Sequence, residues 1–283
     1  MEKIILLAET GSDIPEEVAK EYGIYIVPMH VSFGEETKDD GTFPAEDICS
    51  YYETTGKLPK TSGCVPEDFE KIFDQIKKEN PDGHILYMAY SAVTTCSYQS
   101  AQIVAEGMDK ITSIDTKQVS AGQYVAVITM AKLLKEHPEW TVEEAAEKAK
   151  DISSRVSMCF VPDKLEFLRA GGRVSNAAAL CGALLKIHPQ IEILDGYLQA
   201  TKKLRGSMKK IAPQLVKDYI TEQHLDLEEI WLIHAPGLSE EVKKLAEKAA
   251  YDCGVKTITW VKTSGVITTH GGPGAFGVVG FHK

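Results

Sequence analysis

Along about the first 158 residues, short apolar runs alternate with segments whose apolar residues recur every three or four positions. A strand covered on both faces reads as a continuous apolar run, and a helix packed on it reads as a stripe of period 3.6. The alternation therefore restricts this part of the chain to an α/β layer structure. The expected strands are residues 4–8, 24–27, 29–33, 84–90 and 110–114. Asp13 is expected to cap the first helix, with Pro15 in its first turn and Glu16 closing a capping box. Val65, Phe69, Ile72, Phe73 and Ile76 form one face of a second helix that has Pro66 and Glu67 in its first turn. Helices through residues 99–106 and 123–134 follow. Thr141 and Glu144 then make a capping box for the stripe Val142, Ala145, Ala149, Ile152 and Val156. Right-handed crossovers between such strands give a mainly parallel sheet flanked by helices.

The pattern then changes. Phe160-Val161-Pro162-Asp163 is expected to be a linker, and Gly171-Gly172 to lie between two short helices. Residues 187–194, the turn Asp195-Gly196 and residues 197–203 read as a β-hairpin, because Asp-Gly supplies the positive φ that a type I′ turn requires. Strands at 230–234 and 257–261 flank a helix over 240–250. The expectation is an N-terminal α/β domain over 1–160 and a C-terminal α+β domain over 161–283. A chain of 283 residues accommodates both.

Several functions are excluded early. The 31 basic and 41 acidic side chains leave a net charge of −10, which argues against a broad cationic footprint for nucleic acid. No stretch reaches the roughly 18 apolar residues of a membrane span, and the run over 4–8 is too short for a signal peptide. The six cysteines, at 49, 64, 96, 159, 181 and 253, include no C-x-x-C pair, which speaks against a zinc site and a disulfide framework and for a reducing, cytoplasmic compartment. No metal-ligand spacing, P-loop or nucleophile elbow is present.

Four segments have the composition of a binding site. Thr61 and Ser62 lie in a stretch, residues 59–66, that enters a helix, where hydroxyls and free amides serve either as caps or as an anion site. Ser91, Thr94, Thr95 and Ser97 follow a buried strand, at the strand end where α/β sheets bind ligands, although turn chemistry uses the same residues. Gly172 and Arg173 join backbone freedom to a cation, or simply end a helix. The segment His270-Gly271-Gly272-Pro273-Gly274 lies in a stretch from Gly254 onward that holds no acidic residue, and its histidine and free amides suit a carboxylate or phosphate.

In order, Asp13-Ile14-Pro15, Ile26-Val27-Pro28-Met29, Thr61-Ser62 before Pro66-Glu67-Asp68-Phe69, and Ser91 through Tyr98-Gln99-Ser100-Ala101 form a recognisable series. Asp115 with Ser120-Ala121-Gly122-Gln123, then Leu165 through Arg169-Ala170-Gly171-Gly172-Arg173-Val174-Ser175, continue it. Leu184-Leu185-Lys186-Ile187-His188-Pro189 and His270-Gly271-Gly272-Pro273-Gly274-Ala275 close it. The set resembles the DegV family of bacterial fatty acid-binding proteins over nearly the whole chain. The resemblance implies a two-domain fold with one long-chain, palmitate- or oleate-like fatty acid held between the domains. It also implies a carrier rather than an enzyme, one that presents the carboxylate to a separate ATP-dependent fatty acid kinase for acyl-phosphate formation and phospholipid synthesis, with transient contact to membrane-associated acyl enzymes. By that resemblance Thr61, Ser62, Ser91, Thr95 and His270 face the carboxylate, and Gly172, Arg173 and Gly271 belong to the surrounding polar network or the partner-facing surface.

The sequence departs from the family pattern at Ser91-Ala92, where paired serines are usual, and at Thr95-Cys96-Ser97, where Ser-Gly-Thr is usual. If the second serine is the contacting one, Ser91 or Thr95 must substitute for Ala92. Burying about fifteen methylenes at ~0.8 kcal/mol each yields on the order of 12 kcal/mol before ordering costs, so the tail would set affinity and the hydroxyls orientation. Two other readings stay open: a hydrolase with Ser91 or Thr61 as nucleophile and His270 as base, and an adaptor whose acyl ligand is only structural.

Overall fold

The computed structural model describes residues 2–174 and 187–283. Ser175, Cys181, Leu184, Leu185 and Lys186, and the short helix expected after Gly172, lie outside the described residues.

Strand β1 (Ile4–Glu9) sits inside a four-stranded parallel sheet of order β2 (Tyr25–Val27), β1, β6 (His84–Ala89), β7 (Ile111–Asp115). Both faces of its central strands are covered, which explains their unbroken apolar runs. Ile5, Leu7, Ile85 and Tyr87 pack with Phe69 and Phe73 of α3 (Pro66–Glu79; α1 and α2 are Glu16–Tyr22 and Glu46–Thr55). Leu6, Ala8, Leu86 and Met88 pack on the other side with α5 (Ser120–Glu136) and α6 (Val142–Arg155), which follow α4 (Ser97–Ala105). The capping box of α6 forms as read: the Glu144 amide donates to Thr141 Oγ1 at 3.3 Å, and the Thr141 amide to Glu144 Oε2 at 2.8 Å.

A second, six-stranded sheet has the order β10 (Tyr197–Arg205), β9 (Ile187–Leu194), β8 (Val156–Val161), β13 (Phe276–Phe281), β11 (Glu229–His234), β12 (Thr257–Lys262). Only β11 and β12 are parallel; β13 runs antiparallel to both β11 and β8. Helices α8 (Met208–Glu222) and α9 (Glu240–Asp252) cover one face around Tyr219, Leu232 and Val278. The opposite face contributes Trp231, Ile233, Val261 and Val279 to the same apolar cluster as α5, so α5 is the layer shared by the two sheets. A three-stranded antiparallel sheet, β4 (Glu36–Asp39), β3 (His30–Phe33), β5 (Lys60–Ser62), completes the first domain.

Two sequence expectations are corrected, and one segment without an assignment gains regular structure. Asp13 does not cap α1. It ends a 3-10 turn over Thr10–Ser12 with φ 58°, and α1 starts after Pro15 with no side-chain cap. Its carboxylate serves a long-range contact instead, described below. Phe160 and Val161 are not linker: they close β8, paired with Gly277 and Phe276, and the chain passes between the sheets directly from α6 to β8. The glycine-rich C-terminal run, unassigned by the sequence, has regular structure. It folds as α10 (Gly265–Gly271) and β13, and at Gly277 a Cβ would stand 2.7 Å from the Cys159 carbonyl oxygen, so only glycine lets β8 and β13 pair there. The hairpin stands as read, with φ of 49° at Asp195 and 84° at Gly196.

Candidate functional site

Helix α10 is fixed at its start by acids from the other domain. The Ser264 amide donates to Asp13 Oδ1 at 2.7 Å, and the Gly265 amide to Asp40 Oδ1 at 2.9 Å. These are amides a helix leaves unpaired at its N-terminus, and a carboxylate suits them in charge as well as geometry. A Cβ on Gly265 would lie 2.7 Å from both Asp40 Oδ1 and the Phe43 ring, so the approach requires glycine. Ser120 donates its hydroxyl to Asp13 Oδ2. Burial pushes the Asp13 carboxyl up to about 7 against these hydrogen bonds, with the Asp40 charge adding to the rise.

The last turn of α10 carries His270, and β5 carries Thr61, held to β3 opposite Val31. Thr61 Oγ1 and His270 Nε2 are 2.8 Å apart. The other ring nitrogen, Nδ1, is buried with no hydrogen-bond partner and lies against Gly171, where a Cβ would come within 2.3 Å of it. An N–H directed at that CH₂ would be an orphaned buried donor, whereas a bare lone pair there costs less. The favoured tautomer therefore has its proton on Nε2 and donates to Thr61, whose own hydroxyl hydrogen is left free for an acceptor. Arg173 donates from Nη1 to the Gly171 carbonyl at 2.8 Å. Burial, with the Arg173 charge nearby, lowers the His270 pKa to about 4, so the imidazole is neutral at pH 7.

These groups border a cavity that is partly open to solvent. Thr61, Ser62, Thr95, Arg173, His270 and Gly271 all line it. The remaining wall is mostly apolar: Met29 and Val119 come from loops of the first domain, and Met158, Phe160, Ile233 and Phe276 from strands of the six-stranded sheet. Gly63 matters here, since a Cβ at that position would fall 2.1 Å from Thr95 Oγ1. Removing the side chain lets the Thr95 loop approach the Thr61 strand. Ser62 is exposed, and Thr95 Oγ1 is hydrogen-bonded to Ser97 Oγ at 3.1 Å.

Two sequence candidates lie elsewhere. Ser91 is not among the cavity-lining residues; it is fully buried, and its hydroxyl donates to the Gly196 carbonyl at 2.8 Å. Gly172 is an exposed, positive-φ cap that ends α7 (Leu165–Gly171). The Ser91–His270 hydrolase arrangement is thus not formed. The hydroxyl facing His270 is that of Thr61, and Nδ1 lacks the orienting acid that a nucleophile–base–acid array needs. Among the described residues no group of three or more His, Cys, Asp or Glu is placed to hold a metal ion, and no helix is long and apolar enough to cross a membrane.

Sequence reading missed Asp13, Asp40 and Gly171 as supports of the site. Their partners are far away in the chain, so no local pattern exposed them. The Tyr90 ring and Ser120 also reach the cavity, from segments already noted for other reasons.

Residues 3–283 match the model of a family of uncharacterised proteins, DegV. The chain belongs to the DegV family. A DegV domain-containing protein of Caldanaerobacter subterraneus is 28% identical, with 98% of each chain covered. Among solved structures, a DegV family protein from Thermus thermophilus, described by its fatty acid binding, superposes with a TM-score of 0.87 at 24% identity, covering 99% of this chain and 100% of that one. A stearic acid-binding protein from Eubacterium ventriosum gives 0.85 at 23% identity, covering 100% and 99%. The α/β, two-domain DegV fold is therefore the fold of this chain.

Proposed function

We propose that this DegV protein binds one long-chain fatty acid, with the tail in the cavity between the two sheets and the carboxylate at Thr61. Ser62, Thr95 and His270 stand around the head group. The observation that carries this reading is the Thr61–His270 pair at the border of an otherwise apolar cavity. A neutral histidine that donates to Thr61 leaves the threonine hydroxyl to donate to a carboxylate, and the Arg173 charge favours an anion nearby. Solved DegV relatives described as binding stearic or vaccenic acid support the ligand class. The apolar wall supplies affinity and the hydroxyls orientation.

The carboxylate is handed to a separate ATP-dependent fatty acid kinase, which forms the acyl-phosphate for phospholipid synthesis. A buried imidazole with a pKa near 4 is a weak base at pH 7, which suits a group that orients rather than one that takes protons. The test is acyl-phosphate formation from radiolabelled oleate by a bacterial fatty acid kinase subunit and ATP, with and without this protein. Formation that requires the protein and drops in Thr61→Val supports the role; equal formation without it rejects the role.

A further inference from the structure

The β9–β10 hairpin is only partly supported by its own sheet. β9 pairs with β8 at Ile191 to Phe160 and Glu192 to Cys159, and nowhere beyond. From Ile193 onward the hairpin leaves the sheet and reaches the other domain, where three contacts fasten its turn. The buried Ser91 hydroxyl donates to the Gly196 carbonyl at 2.8 Å. At the surface Lys117 Nζ meets Asp195 Oδ1 at 2.5 Å. Val93 closes on Gly196, where an added Cβ would lie 3.2 Å from Val93 Cγ2 and 2.7 Å from Ser91 Oγ.

The fastened segment adjoins the cavity from both sides. Leu198, two residues past the turn, is part of the cavity wall, as is Thr94, next to Val93. Leu198 also bridges to Val174, the residue after Arg173. Ile193 and Leu198 pack against the apolar cluster that both sheets share with α5, and Leu198 also against Leu168, Val174 and Ile191, while Leu194 and Tyr197 remain exposed.

We propose that this hairpin tip is a strap that holds the two domains closed over the cavity, and that its release gates ligand exchange. When the turn detaches, Leu198 withdraws from the wall and the cavity opens beside Thr94. One neutral hydrogen bond and one exposed ion pair are weak fastenings, so local opening does not require the sheet to unfold. The strap gives Ser91 a role that explains why its hydroxyl is turned away from the cavity. The identity of the exchanged ligand rests on the fatty acid reading; the fastening itself does not.

The test follows release of bound cis-parinaric acid, chased with excess oleate, by stopped-flow fluorescence on the full chain. Ser91→Ala should speed release roughly fivefold. Asp195→Lys, which sets like charges together, should speed it about two- to fivefold at low salt, and adding Lys117→Asp to that variant should restore the original rate. In parallel, hydrogen exchange of the ligand-free protein should rise over residues 193–198 in Ser91→Ala and Asp195→Lys, with β1 and β6 unchanged. Unaltered release with unaltered exchange in both variants overturns the strap, as does failure of the charge swap to restore the rate. If the wild-type protein takes up no cis-parinaric acid, the fatty acid reading fails and the exchange measurement alone decides the strap.

Discussion

Glu9 is the residue whose environment makes the sharpest demand. It is fully buried, and it accepts from the Tyr87 hydroxyl, from the Tyr90 amide at 3.1 Å and from Gln123 Nε2 at 2.6 Å. Burial still outweighs these bonds and pushes its pKa up to about 7. The native state then holds a proton that the unfolded chain releases near pH 4.5, so this group's contribution to stability falls as pH rises from about 4.5 through 7. Glu9→Gln should match the wild type near pH 4 and become relatively more stable by about 1–3 kcal/mol at pH 8, read from urea denaturation at each pH. His270 has the opposite sign: its depressed pKa means that stability is lost as pH falls from 6.5 toward 4. Gly171→Ala should leave the fold intact and displace the His270 ring, since the added methyl cannot share space with Nδ1. The expected cost is about 1–3 kcal/mol, with loss of the Thr61 hydrogen bond visible as a shift of the His270 imidazole resonances. Thr61→Val should weaken fatty acid affinity by about ten- to a hundredfold, because a hydroxyl bonded to a carboxylate contributes about 1.5–3 kcal/mol beside a long apolar tail. A loss of several hundredfold in a displacement titration would contradict that division of labour.

At the scale of elements, local signals and tertiary contacts part company. The capping box of α6 was legible because both partners lie within four residues, and Thr141→Ala should cost about 1 kcal/mol in thermal denaturation. The strands of the parallel sheet were legible because burial on two faces leaves an unbroken apolar run. The hairpin was legible from Asp-Gly. Asp13 was misread because a short acid before Pro15 has the local form of a cap, whereas its partners, Ser120 and Ser264, are 107 and 251 residues away. β13 drew no assignment from the sequence for a similar reason: glycine lowers strand propensity, yet Gly277 is demanded by close backbone contact with β8. Thr61, His270 and Arg173 were legible as site candidates through composition and family resemblance. Ser91 was read as a carboxylate contact, and the chain carried no local sign that its partner is a turn 105 residues away.

For the whole molecule, the two sheets share α5 and leave between them a cavity that the protein's own side chains do not fill. Acids from the first domain hold the start of α10, the end of α10 holds His270, and His270 meets Thr61 back in the first domain. The polar border of the cavity therefore exists only while the domains are docked. Native mass spectrometry of the purified protein, before and after addition of oleate, tests this most directly. The predicted result is a single adduct of fatty acid mass per chain, retained after desalting and lost from a variant whose cavity wall is filled, such as Ile233→Trp. A protein that stays at its bare mass with oleate in excess contradicts the account.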